Sequence, residues 1–149
     1  LKNSALFSVV GYRPHLLRDL TLTIRRLERV SRSPDANIRR FSVEVSRPRS
    51  VWGAHAAALK ENPNRAISII ENVRSDESRY VQLAAGNWLN DASKTQPDWV
   101  LAVCTRWVRD GNPFSHRIVK RGLRTIGSAD RFIPARSFGK ISTEARSFA

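Results

Sequence analysis

The sequence predicts an all-α protein built as a solenoid of helical pairs, and three observations carry that expectation. No window shows the sustained apolar–polar alternation of a half-buried strand. Three segments share one plan, "SPDANIRRFSVEVS", "SDESRYVQLAAGNWL" and "GNPFSHRIVKRGLRTIG", each a polar break followed by a helix that opens on an aliphatic–basic pair. Aligned on Ile38, Val81 and Val119, they fall 43 and 38 residues apart, near the ~40–47-residue period of HEAT and armadillo repeats.

Each of these second helices has a first helix before it. The expected first helices are residues 14–31, 63–74 and 97–109, opening on Pro14, Pro63 and Pro97, since proline suits the first helical turn. Asn62 and Gln96 precede two of them, and asparagine is a good N-cap. Between the first and second units, "RPRSVWGAHAAALKEN" predicts a turn leading into a short helix. In "RYVQLAAGNWLNDASK", residues 79–94, Val81, Ala84, Ala85, Trp88 and Leu89 form a core-facing stripe that closes on Asn90 and Asp91. Trp88, Trp99 and Trp107 are expected in the core. The expected domain is residues 1–130, with residues 131–149 as a partly ordered tail rich in Pro, Gly and Ser.

The chain has 149 residues, enough for one domain with a core of its own. Lys and Arg number 26 against 13 acidic residues, a net charge of +13. Of the cations 21 are arginine, the side chain whose planar fork best matches phosphate. A polyanionic partner such as DNA or RNA comes first, ahead of a merely soluble basic surface. Cations recur on the second helices: Arg39 and Arg40, then Lys120, Arg121 and Arg124, with Arg47, Arg49, Arg79 and Arg117 close in sequence. They predict a basic track for a phosphate backbone.

No apolar run approaches the ~20 residues of a membrane span, and the N-terminal stretch lacks a signal-peptide pattern. The chain opens on Leu1 without methionine, as a fragment or an unusual start would. The single Cys104, among Leu101, Ala102, Val103 and Trp107, reads as a buried thiol in a reducing cytoplasm. His15, His55 and His116 show no metal-ligand spacing, and "GNPFSH" lacks the Lys-Ser/Thr of a phosphate loop. No cofactor and no metal are expected. Taken alone, Asp91 reads as a helix-end carboxylate paired with an arginine or capping a backbone N–H.

Three stretches carry a resemblance: "NIRRFSVEVSRPRSVW", "YVQLAAGNWLNDASKTQPDWVLAVCTRWV" and "HRIVKRGLRTI". The chain resembles the HEAT-like-repeat alkylpurine-DNA glycosylases of the AlkC/AlkD type, bacterial DNA alkylation repair enzymes, the AlkC branch more closely. The pattern covers roughly residues 8 to 127, and its R-P-R-x-x-W and L-N-D-x-S-K elements make it specific. The resemblance implies hydrolysis of the base–sugar bond of N-alkylated purines of the 3-methyladenine type in double-stranded DNA. It implies a monomer acting on the nucleoid in the bacterial cytoplasm. Asp91 matches the family's catalytic aspartate. Trp52 matches an aromatic of the DNA-facing site, and Arg40, Arg47 and Arg49 fall where the family holds the backbone around the lesion. One position departs: in "VVGYRP", Arg13 and Pro14 keep the register, but Val9 stands where the family has a glutamate. Glu44 is a candidate surrogate. The alternatives are a non-catalytic DNA- or RNA-binding repeat protein and, behind it, a protein-interaction scaffold.

Overall fold

The computed structural model describes residues 2–51 and 53–127. Trp52 and the expected tail lie outside the described residues. The elements are α1 (Lys2–Arg18), α2 (Leu20–Val30), α3 (Ala36–Val45), α4 (Ala57–Glu61), a one-turn 3-10 helix (Pro63–Ala66), α5 (Ile67–Asn72), α6 (Arg79–Ser93), α7 (Pro97–Arg109) and α8 (Pro113–Gly122). The architecture is all-helical, as the sequence predicts. Helices α3, α6 and α8 pack side by side with α6 in the middle. Helix α2 backs α3, α5 packs on α2 and α3, and α7 packs against α6 and α8.

The helix starts follow local chemistry. Asp35 opens α3 by accepting from Asn37 N at 2.8 Å. Asn112 opens α8 by accepting from Phe114 N and Ser115 N, ahead of Pro113. Each cap satisfies a backbone N–H that the helix itself leaves without a partner. Pro97 opens α7 as predicted, whereas the side chains of Asn62 and Gln96 cap nothing. Gln96 instead donates to the Glu61 carbonyl at 2.9 Å.

The expected single helix over residues 14–31 is two helices. Pro14 lies inside α1, and the chain breaks at Asp19, whose backbone leaves the helical region and whose carboxylate caps α2 by accepting from Leu22 N at 3.1 Å. A short acidic side chain offering the backbone a local bond outcompetes continuation of the helix. The segment from Pro63 starts as a 3-10 turn before becoming α5.

Trp88 and Trp107 are fully buried, and each satisfies its indole N–H. Trp88 donates to the Ser46 carbonyl at 2.9 Å, Trp107 to Glu71 Oε1 at 3.1 Å. Trp99 is half-buried, with its ring 6.1 Å from that of Trp88. Cys104 is buried, and burial pushes its thiol up to about 12.

Two glycines let α6 and α8 approach. A Cβ on Gly122 would stand 2.8 Å from Leu89 Cβ, and one on Gly86 would stand 2.8–3.0 Å from the stem of Arg121. Gly11, inside α1, has nothing within 4 Å of that position. Gly122→Ala should therefore lower stability by about 1–3 kcal/mol, because Leu89 or a helix must shift. Gly11→Ala should raise it by roughly 0.5–1 kcal/mol through helix propensity alone. Urea unfolding of the two variants beside the parent checks both signs.

Candidate nucleic-acid interface and carboxylate site

Helix α6 presents an apolar stripe to the core and a polar stripe, Asn87, Asn90 and Asp91, beside it. Spacings of three and four residues put these side chains on one helix face. Asp91 is only 4% exposed. Its Oδ2 accepts from Arg47 Nε at 2.7 Å and its Oδ1 from an Arg47 terminal nitrogen at 3.3 Å. The other terminal nitrogen of Arg47 donates to Glu44 Oε2 at 3.3 Å. One guanidinium thus holds two carboxylates, one from α6 and one from the last turn of α3. Burial works against the Arg47 charge as the largest single influence, but the hydrogen bond and field of Asp91, with Glu44, outweigh it and hold its pKa above the ordinary value.

Arg13 lies behind this cluster, 3% exposed. Its terminal nitrogens donate to the carbonyls of Val45, Arg47 and Ala54, and its Nε donates to Ala54 as well. Burial, then the neighbouring Arg47 charge, lowers Arg13 to about 10, so it stays charged at neutral pH.

The second feature is a groove of about 440 Å³ between α6 and α8, lined by Arg79, Gln82, Leu83, Arg117, Lys120, Arg121 and Arg124. Arg117, Lys120, Arg121 and Arg124 follow helical spacing, opposite the buried Ile118, Val119 and Leu123. Asn87 Oδ1 accepts from Arg121 Nε at 2.9 Å and from Arg124 at 3.0 Å, holding the two guanidinium groups side by side. Partial burial, then the charges of Arg124, Arg79 and Arg47, depress the Arg121 pKa. The groove and the carboxylate site are therefore electrostatic neighbours. At the other edge, Arg40 stacks over the exposed Tyr80 ring, 5.8 Å from its centroid.

The ion pairs show how the charges divide. Asp91 and Glu44 pair with Arg47, Asp76 with Arg39, Glu71 with Arg74 and Arg106, Asp110 with Arg74, and Glu28 with Arg32. No groove cation, nor Arg40, forms an ion pair among the described residues.

The predicted site residues therefore separate. Arg117, Lys120, Arg121 and Arg124 share one groove, and Arg40 stands exposed near its α6 edge. Arg39 turns inward: it grips both oxygens of Asp76, at 2.6 and 3.0 Å, and donates to the carbonyls of Ser33 and Pro34. Arg47 is committed to its two carboxylates, and Arg49 is half-buried, its Nε without a hydrogen-bond partner among the described residues. Trp52 lies outside the described residues. Val9 is half-buried against the core. Asn87, Tyr80 and the clasp formed by Arg13 escaped the sequence reading; only the three- and four-residue spacing from Asn87 to Asn90 and Asp91 signalled the first. No group of His, Cys, Asp and Glu among the described residues is placed to hold a metal, and no helix there is long and apolar enough to cross a membrane.

Removing one partner of a buried pair leaves an uncompensated charge. Asp91→Asn should cost about 3 kcal/mol of stability, whereas Arg32→Ala, at an exposed pair, should cost under about 0.5 kcal/mol. Paired denaturation midpoints test the contrast.

Comparison with known proteins gives the family and the fold. The family model described as DNA alkylation repair enzyme matches residues 13–119. The uncharacterized protein YhaZ of Bacillus subtilis (strain 168) is 38% identical over 119 residues, which cover 80% of this chain and 33% of that protein. The structure of the Pseudomonas fluorescens alkylpurine DNA glycosylase AlkC, bound to DNA containing an abasic site analog, superposes with a TM-score of 0.76 at 31% identity. That match covers 79% of this chain and 33% of AlkC, so the chain spans about a third of the length of each of these relatives. On the family match and the shared helical-repeat fold, the chain belongs to the DNA alkylation repair enzyme family.

Proposed function

We propose that this chain binds alkylated double-stranded DNA along the α6–α8 groove and acts as a glycosylase on N-alkylated purines of the 3-methyladenine type. The carrying observation is that one helix, α6, borders the unpaired cationic groove and bears the buried Asp91 one turn beyond Asn87. The groove supplies phosphate contacts, with Arg40 and Tyr80 extending them toward α3. No sequence readout is needed for this, because phosphate contacts fix register and affinity without reading bases. We take the protein to work as a monomer in the bacterial cytoplasm, on nucleoid DNA.

The chemistry suits a site with carboxylates and no strong acid. An N3-alkylated purine is already cationic. When its bond to C1′ breaks, the electron pair leaves with the base and neutralises it. Positive charge then develops on the sugar, where a carboxylate stabilises it. Asp91 takes that role, and it orients the water that attacks C1′ and accepts the proton that water loses. Arg47 keeps Asp91 aimed, and Glu44 supplies a second carboxylate at the same guanidinium, where Val9 cannot.

The test is release of methylated base from alkylated duplex. The parent chain should release it, and Asp91→Asn, with its fold verified, should lower kcat by at least about 100-fold, the order expected for one preorganised electrostatic group. Val9→Glu should leave or raise the rate. The second reading, a binding protein without turnover, is favoured by Val9 lying half-buried against the core. It would be established by absence of base release from a parent chain that still binds duplex.

Binding gives its own prediction. If the five groove cations each neutralise a phosphate, the logarithm of affinity should fall with the logarithm of salt concentration at a slope of about −4.5. Lys120→Glu with Arg121→Glu should flatten that slope and weaken binding at least tenfold. Fluorescence anisotropy across a salt series reads both. An unchanged slope would move the DNA elsewhere on the molecule.

A further inference from the structure

Arg13 is the most buried cation of the described chain and touches no carboxylate in an ion pair; its partners are main-chain carbonyls. Val45 and Arg47 accept from one terminal nitrogen, and Ala54 accepts from Nε and from the other terminal nitrogen. These carbonyls lie 32 to 41 residues away in sequence. They stand on the two sides of the segment that leaves α3 and returns toward α4. The same segment is closed once more by Ala56 N donating to the Pro48 carbonyl at 2.9 Å. Arg47 is the residue on that segment that grips Asp91 and Glu44. A guanidinium offers donors in a fixed planar fork, so it can hold both sides at a set separation. A lysine ammonium is a point charge on a flexible stem and cannot reproduce that span.

We propose that Arg13 is a positioning residue of the carboxylate site: its main-chain clasp sets the place of Arg47, and Arg47 sets the orientation of Asp91. Arg13 itself touches neither DNA nor the reacting atoms. The inference rests on the glycosylase reading for its effect on rate, while its structural half stands apart from that reading. It also separates two properties of the chain, since the groove cations lie on α6, on α8 and in the turn after α8, and the clasp joins α1 to the end of α3. Damage to the clasp should therefore lower turnover and leave DNA affinity in place.

The test compares the full parent chain with Arg13→Lys and Arg13→Ala. In Arg13→Lys, amide hydrogen exchange over residues 46–56 should accelerate at least tenfold while exchange in α6 and α8 stays as in the parent. Duplex affinity should hold within about twofold, and kcat for base release should drop tenfold or more with KM unchanged. Added methylguanidinium should restore part of kcat to Arg13→Ala, which a general loss of stability would not allow. A proportional fall of kcat and affinity, or unchanged exchange over 46–56, would overturn the proposal. Should neither variant fold, the parent chain still decides: the Ala56 amide must be protected to the degree of the last amides of α3, and ready exchange there would overturn the clasp. If the parent releases no base at all, the glycosylase reading fails. Exchange over 46–56 then decides Arg13 alone, faster exchange in Arg13→Lys upholding the clasp and unchanged exchange overturning it.

Discussion

A buried guanidinium needs an anion or a set of carbonyls, and this chain has half as many acidic residues as cations. That constraint organises the molecule. Arg47, with its side chain 13% exposed, takes Asp91 and Glu44. Arg39, 20% exposed, takes Asp76. Arg13 takes three main-chain carbonyls instead, and burial, then the neighbouring Arg47 charge, lowers its pKa. With these acids held at the inner arginines, and Glu71 and Asp110 around Arg74 and Arg106, the α6–α8 groove keeps five cations that form no ion pair among the described residues. The groove is the face whose cations take none of these carboxylates.

Helix α6 joins the two outcomes. Its apolar stripe carries Val81, Ala84, Ala85, Trp88 and Leu89 into the core, and the Trp88 indole pins the end of α3 through Ser46. Its polar stripe reaches three different targets. Asn87 aligns Arg121 and Arg124. Asn90 Oδ1 accepts from the backbone and hydroxyl of Thr125, at 3.2 and 2.8 Å, and so fixes the turn after α8. Asp91 turns back to Arg47. Gly86, between the stripes, admits the stem of Arg121. Fifteen residues of helix thus set the spacing of α3, α6 and α8 and the charges on both sides of it.

The pairs of helices were legible because their signals are local. Proline at a first turn, a polar break and an apolar stripe at helical spacing all lie within one segment. The break at Asp19 was not legible from the apolar pattern, since that pattern runs on unbroken while a single carboxylate ends one helix and begins another. The site was legible as a set of residue types and less so as a set of roles. Arg39 and Arg40 are neighbours with the same chemistry, yet one turns inward and the other stacks on Tyr80. The difference is made by Asp76, 37 residues away in sequence, and no local pattern announces it. The same holds for Arg13, matched by its motif but given its role by carbonyls far along the chain.

The pairing of Asp91 also bears on how chemistry and binding divide. A carboxylate already bonded through both oxygens offers less negative field to a developing sugar cation than a free one would. Glu44 on the same guanidinium offsets this, because Arg47 is shared between two anions and withdraws charge from each only in part. In a low-dielectric site the pair also resists drift, and a preorganised anion costs no reorganisation as charge develops beside it. In the proposed reaction, Arg47 therefore sets a balance between holding Asp91 still and leaving it negative enough to act. The clasp at Arg13 bonds the main chain at Arg47, and on the proposal made for it, it decides where that balance falls.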